Sequence, residues 1–247
     1  MKTLKPIPAR ETIIMLVLLF SVFNGGVINA QPGRSSNGPS GRGFYAPEII
    51  KFGIHTDPSI CWFESDIMKV RNDGSRPGFN FGLTLNRYFT PNYSFSTGIS
   101  LIHAGGRLVA QDETELEFTT SPVKPGDPVV YKIKYLSFPV GLKLQTNQIG
   151  LFNFFTDLGF DPKVVIGGKA DIPSLQIYGV RALSELKMFN LSYHITAGIE
   201  YPIGWTTAMV FGLNFENNFL DVTKDNGAQP NDIISHKILS FRIGINF

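Results

Sequence analysis

The sequence predicts an all-β protein, an eight-stranded antiparallel transmembrane β-barrel with an up-and-down meander topology. Two observations support this fold class: eight segments alternate apolar and polar side chains, and the connections between them alternate between short and long. A third is that the last segment alternates up to Phe247 and has the pattern of a closing strand of a bacterial outer-membrane barrel. Period-two alternation is typical of a strand with one apolar face, and tilted strands of about ten residues span a bilayer.

The N-terminal segment has the pattern of a secretory signal peptide. Basic residues precede an apolar run over residues 13–23, and Ala30 is a small residue suited to cleavage. The run is shorter than the roughly 20 residues of a spanning helix. We expect residues 1–30 to be a cleaved signal peptide and residues 31–46, rich in Gly, Ser and Pro, to be a flexible periplasmic lead-in. Residues 47–247 then form the barrel.

Charge and cysteine content exclude several classes of function. The whole chain has a net charge of +2, and residues 1–30 alone carry three bases and one acid, so the remainder is close to neutral. We therefore expect no nucleic-acid partner. Cys61 is the single cysteine, which excludes an intrachain disulfide and a cysteine-cluster metal site. We expect no cofactor and no metal.

In each of the eight predicted strands, every second residue is mostly apolar and the residues between them are mostly polar or small. In chain order these strands cover residues 50–55, 79–86, 93–101, 136–145, 152–160, 191–201, 209–216 and 238–247. The polar parity is rich in Gly, Ser and Asn. Pro139 interrupts the fourth strand, and because proline cannot donate a backbone hydrogen bond, it must occupy a bulge or an unpaired position.

The connections between these strands are of two kinds. Tight turns are predicted near 90–92, 146–148 and 203–205, and long connections at 58–75, 105–129, 161–186 and 221–233. Outer-membrane barrels have short periplasmic turns and long external loops. With eight strands and both termini in the periplasm, every short turn falls on the periplasmic side. The pattern predicts a bacterial outer-membrane location.

A soluble eight-stranded barrel of the lipocalin type would show the same alternation, with its apolar face inside. Side-chain size favours the membrane barrel. The apolar faces carry large Phe, Leu and Ile residues, whereas the polar faces are small. Because a closed eight-stranded barrel has a narrow interior, the small polar face fits inside.

Several strands resemble those of the PorT-like family of outer-membrane β-barrel proteins. The resemblance spans residues 47–247 and rests on the segments 135–143, 150–162, 197–201 and 215–222. These motifs specify a barrel and no catalytic site. Because the family's founding member is implicated in protein secretion and gliding, the resemblance implies an alternative function as an accessory component of an outer-membrane secretion or gliding machine.

Charged residues on the polar parity are expected to form a network in the lumen. They include Lys143, Asp157, Glu200, Glu216 and Arg242. Because unpaired charges in a narrow lumen are costly, we expect Arg242 to pair with Glu216, with Glu200, or with both. A structural plug of ion pairs is the favoured interpretation, and a small gated channel is the alternative.

No grouping of Ser, His and Asp is visible, so we predict no catalytic residue and no enzyme. Trp62 and Phe63 make the predicted loop 58–75 unusually apolar, and we expect them to pack over the barrel mouth or to bind a protein partner. The other expected partners are outer-membrane lipid and lipopolysaccharide, and the outer-membrane assembly machinery through Phe247. The leading prediction is a structural or interaction barrel.

Overall fold

Antiparallel strands make up about three quarters of the residues that the structure describes. The structure is a computed structural model that describes residues 50–66, 70–113, 116, 118–119, 122–224 and 233–247. The predicted signal peptide and lead-in lie outside these residues. No helix in the described ranges is long and apolar enough to cross a membrane.

Eleven strands are present in the described residues, with one short 3-10 helix, Pro173–Leu175, between the seventh and the eighth. They are β1 (Ile50–Ser65), β2 (Val70–Asn72), β3 (Arg76–Thr90), β4 (Tyr93–Ala110), β5 (Pro128–Ser137), β6 (Val140–Gln145), β7 (Asn153–Ile172), β8 (Ile177–Arg181), β9 (Phe189–Pro202), β10 (Ala208–Asn218) and β11 (Ile234–Asn246).

The strands close into a ring of eight. β1 pairs with β3, and β3 pairs with β4. β4 pairs with both β5 and β6, and each of these two also pairs with β7. β7 then pairs with β9, β9 with β10, and β10 with β11. β11 pairs with β1, with Ile54 opposite Ile245, and this pairing closes the ring. β5 and β6 act as one barrel strand, while β2 and β8 are short additions at the end that carries the long connections. The predicted fold class and the eight strand positions are confirmed.

Pro139 marks the break between β5 and β6, as the sequence predicts. The wall stays hydrogen-bonded around the break, because the Phe138 amide donates to the Pro162 carbonyl over 2.9 Å. The Thr97 hydroxyl donates to the Pro139 carbonyl over 3.0 Å. The proline therefore interrupts the strand without opening the barrel.

The distribution of side chains is that of a protein surrounded by lipid. Leu213 is 58% exposed on the outer wall, whereas its neighbour Asn214 is 1% exposed in the interior. Other outward apolar residues include Phe52, Phe81, Leu101, Phe154, Ile195 and Phe241. Buried polar residues include Asn80, Ser100, Asp157, Thr196, Glu200 and Ser240. The apolar face is therefore outside, opposite to the lipocalin arrangement.

Several strands are longer than predicted, and this corrects the placement of Trp62 and Phe63. Both lie in β1, opposite Lys237 and His236 of β11, so they do not belong to a loop. Phe63 points into the barrel and is 1% exposed. The error has a physical cause: beyond the lipid-facing zone the outer wall becomes polar and the interior apolar, so the alternation that marks a membrane strand reverses.

Candidate functional site

The interior of the barrel contains two layers of different chemistry. The layer nearer the short turns is polar and charged, and it contains all five residues of the predicted charge network. The layer nearer the long connections is apolar. These two layers decide what can pass through or bind in the lumen.

Arg242 pairs with Asp57 of β1, and not with either of the predicted glutamates. Its Nη2 and Nε atoms lie 3.2 and 3.3 Å from Asp57 Oδ2. Asp57 is fully buried, and it also accepts a hydrogen bond from Asn80 over 3.2 Å and contacts His55 over 3.0 Å. Asp57 was not among the predicted network residues because β1 was expected to end before it, although Asp57 continues the inward-facing series of Gly53 and His55.

Glu216 pairs with Lys163, a residue predicted to lie in an external connection. Lys163 Nζ lies 2.5 Å from Glu216 Oε2, and the two side chains are 1% and 6% exposed. Asn214 Nδ2 donates to the other carboxylate oxygen over 2.9 Å. The parity of Asp157 and Asp161, continued along β7, would have placed Lys163 in the lumen.

Lys143 and Glu200 form a direct ion pair, so these two predicted network residues are brought together. Glu200 also accepts hydrogen bonds from Gln145 over 2.9 Å and from Asn246 over 2.8 Å. The Lys143 ammonium lies 4.6 Å from the centre of the Phe155 ring. The pair is therefore held by neutral and aromatic neighbours as well as by charge.

Asp157, the fifth predicted network residue, lies beside His194. The His194 ring contacts Asp161 over 2.9 Å through Nδ1 and Asp157 over 3.5 Å through Nε2. The space bordered by Asp157, Lys143 and Arg242 is about 30 Å³. That volume holds roughly one or two water molecules, so the ion pairs leave little free space at this point of the lumen.

The apolar layer closes the other half of the lumen. Its side chains come from the strands and from the long connections, and include Cys61, Phe63, Leu116, Val123, Tyr131, Ile133, Tyr135, Leu186 and Val222. Within it, the Tyr135 hydroxyl and His236 Nδ1 are hydrogen-bonded over 3.0 Å. The His236 ring also packs on Phe63, with centroids 4.7 Å apart. The connections therefore fill the barrel mouth from inside.

The titratable side chains of the lumen determine whether it offers a metal-binding group or free histidines. The described residues contain no group of three His, Cys, Asp or Glu side chains able to hold a metal ion. The histidines of the charged layer, His55 and His194, are each bound to buried carboxylates. Their chemistry is that of fixed ion pairs and hydrogen bonds inside a closed wall.

We predict that Glu216→Gln lowers the free energy of unfolding by about 3–5 kcal/mol, because it leaves the Lys163 ammonium buried without its counter-charge. Glu64→Gln, which breaks the exposed pair with Lys237, serves as the matched control and should cost less than about 1 kcal/mol. The measurement is equilibrium unfolding in urea in lipid vesicles.

The double variant Lys163→Met/Glu216→Met should recover most of that loss, since it removes both charges together. Equal losses for Glu216→Gln and Glu64→Gln would contradict the assignment of Lys163–Glu216 as a buried, mutually dependent pair.

Solved structures of outer-membrane proteins resemble this chain at low sequence identity. Neisserial surface protein A has 9% identity and a TM-score of 0.45, with 79% of this chain and 95% of that chain covered. OprG from Pseudomonas aeruginosa has 12% identity and a TM-score of 0.40, covering 79% and 94%. The outer membrane protease OmpT from Escherichia coli has 9% identity and a TM-score of 0.39, covering 81% and 97%. These values carry no information about activity.

Among curated proteins, no match to the sequence was found. The narrower PorT-like assignment stays a prediction. The family model of the outer membrane protein beta-barrel domain matches residues 49–224, which is more than half of the chain, and the protein therefore belongs to this family.

Proposed function

We propose that this outer-membrane barrel is a sealed, non-catalytic protein that acts through its external end as a structural or interaction platform. The observation that supports this most directly is the filled interior: ion pairs occupy one half of the lumen and an apolar core occupies the other. A protein whose lumen is closed at both levels can exert a function only at its ends or along its outer wall.

The filled lumen argues against the alternative of a small gated channel. An ion path would need Lys163–Glu216 or Lys143–Glu200 to separate inside the wall, and a separated buried charge costs several kcal/mol. It would also need the apolar layer around Phe63 and Tyr135 to leave the barrel mouth. Both changes would have to occur together, which makes a stable closed state the favoured one.

The external end is built as a rigid projection. We take it to be the end with the long connections, because outer-membrane barrels place these outside. β7 has 20 residues, whereas about 9–11 suffice to cross a bilayer, so the wall continues well beyond the lipid. Tyr178 and Met188 are 67% and 73% exposed at this end. Apolar side chains presented on a rigid scaffold are suited to contact with a partner protein.

We expect the wild-type barrel to show no conductance steps above background in planar bilayers, because neither layer of its interior holds a water path. A porin inserted in the same membrane is the positive control. Stable steps from the wild-type protein would contradict the sealed lumen and favour the gated channel.

A photoreactive amino acid at Tyr178 or Met188 should give the same protein adduct in living cells, whereas one at the lipid-facing Leu213 should not. The adduct's protein should also co-purify with the unmodified barrel and be lost from the variant Tyr178→Asp/Met188→Asp. Absence of protein adducts from both external positions would contradict an interaction role and leave a structural one.

A further inference from the structure

A cluster of basic side chains covers one sector of the outer wall, just beyond its apolar zone. We call it the basic patch, and it consists of His103 on β4, Lys132 and Lys134 on β5, Lys169 on β7 and Arg181 on β8. Cross-strand pairing places His103 opposite Lys134, Lys132 opposite Lys169, and Lys169 opposite Arg181. Directly paired residues point to the same side of a sheet, so these side chains share the outer face.

The arrangement of charge in the basic patch is unfavourable by itself. Lys132, Lys169 and Arg181 form a row across three adjacent strands, and like charges that lie directly opposite destabilise a sheet. Asp171 pairs with Lys132. In the part of the chain that the structure describes, no carboxylate lies within salt-bridge distance of Lys134, Lys169 or Arg181. An anion bound from outside would offset this repulsion.

The surroundings of the basic patch define what kind of anion fits. Apolar residues of the same outer face border it directly: Phe79 is 46% exposed, Leu101 37% and Ile166 50%. Phe79, Ile166 and the cations line an open depression of about 770 Å³. Gly167 forms part of its floor and has no side chain to fill it. The ligand must therefore present anionic groups beside a large apolar portion.

We infer that the basic patch binds a phosphorylated lipid of the outer leaflet, with the phosphates on Lys134, Lys169 and Arg181 and the acyl chains on the apolar residues below. Phosphate oxygens accept charge-assisted hydrogen bonds from both cation types, and the arginine fork can bind two oxygens at once. A soluble polyanion would satisfy the charges but would leave the bordering apolar wall unused. The inference rests on the proposed function, since it takes this end of the barrel to be external.

The test is binding of diphosphoryl lipid A to the purified barrel in detergent micelles, measured by native mass spectrometry over a lipid titration. The variant is Lys134→Gln/Lys169→Gln/Arg181→Gln. The matched control is Arg71→Gln/Lys124→Gln/Lys224→Gln, which removes the same charge from exposed residues outside the patch. We expect the patch variant to bind at least about tenfold more weakly, and the control to bind like wild type. Dephosphorylated lipid A should bind all three proteins equally weakly.

Equal lipid binding by the patch variant and the wild type would overturn the inference. A loss of lipid binding in the control variant as large as that in the patch variant would also overturn it. Displacement of the lipid by inorganic phosphate or a soluble sulfated polysaccharide, at charge concentrations equal to that of the lipid, would show a site for soluble anions and would also overturn it.

Stability in lipid-free detergent supplies an independent measurement. Lys169→Gln removes repulsion from the row of like charges, so the variant should unfold at the same urea concentration as wild type or at a higher one. With diphosphoryl lipid A present, the wild type should unfold at a higher urea concentration than the variant. A variant that is less stable than wild type in lipid-free detergent would show a structural role for Lys169 and contradict the inference.

Labelling of Lys124→Cys on intact cells separates failure of this inference from failure of the proposed function. If Lys124→Cys is labelled from outside and lipid A binding does not depend on the patch, the inference alone fails. If the position is reached only from the periplasm, the proposed function fails as well.

Discussion

The pairing of β1 with β11 is the contact on which the rest of the structure depends. Inside a bilayer no water is available to backbone amides and carbonyls, so a sheet can cross it only as a closed ring. Closure with eight strands fixes a narrow interior. Large apolar side chains must then face lipid, and every charge that points inward must find a partner within reach. Asp57 with Arg242 and Lys163 with Glu216 meet that requirement.

The barrel changes its chemistry along its axis because its surroundings change. Where lipid surrounds the wall, the outside is apolar and the inside holds ion pairs. Further towards the long connections, the outside carries Lys132 and Lys169, while Phe63 and Tyr131 fill the inside. The basic patch lies at this transition, beside the outward apolar residues Phe79 and Ile166. The closed lumen and the outer basic patch thus have one origin, since both follow from the polarity of what surrounds each level of the wall.

Strand positions and the lumen location of the charged residues could be predicted from the sequence, because alternation identifies both the strand and its inward face. The partners of those charges could not. Asp57 lies between Thr56 and Pro58, and Lys163 follows Pro162, so the apolar alternation is interrupted beside each of them. Both residues therefore seemed to precede or occupy loops. Phe63 was assigned to an apolar loop for the same reason, although its parity matches that of Asp57. The pairing of β1 with β11 also brings together Asp57 and Arg242, which are 185 positions apart in the sequence. The alternation within a single strand cannot reveal such a contact.

The central claim is that the lumen is sealed where its charged and apolar layers meet. Cys61, the protein's single cysteine, is fully buried within the apolar layer and contacts Ser59, so it reports on this level without any substitution. The most direct test is the rate at which a small water-soluble thiol reagent modifies Cys61 in the wild-type barrel in lipid vesicles. The account predicts no modification until the protein is unfolded in urea. Modification of the folded barrel at the rate of an exposed thiol would show that water reaches the centre of the lumen and would contradict the account.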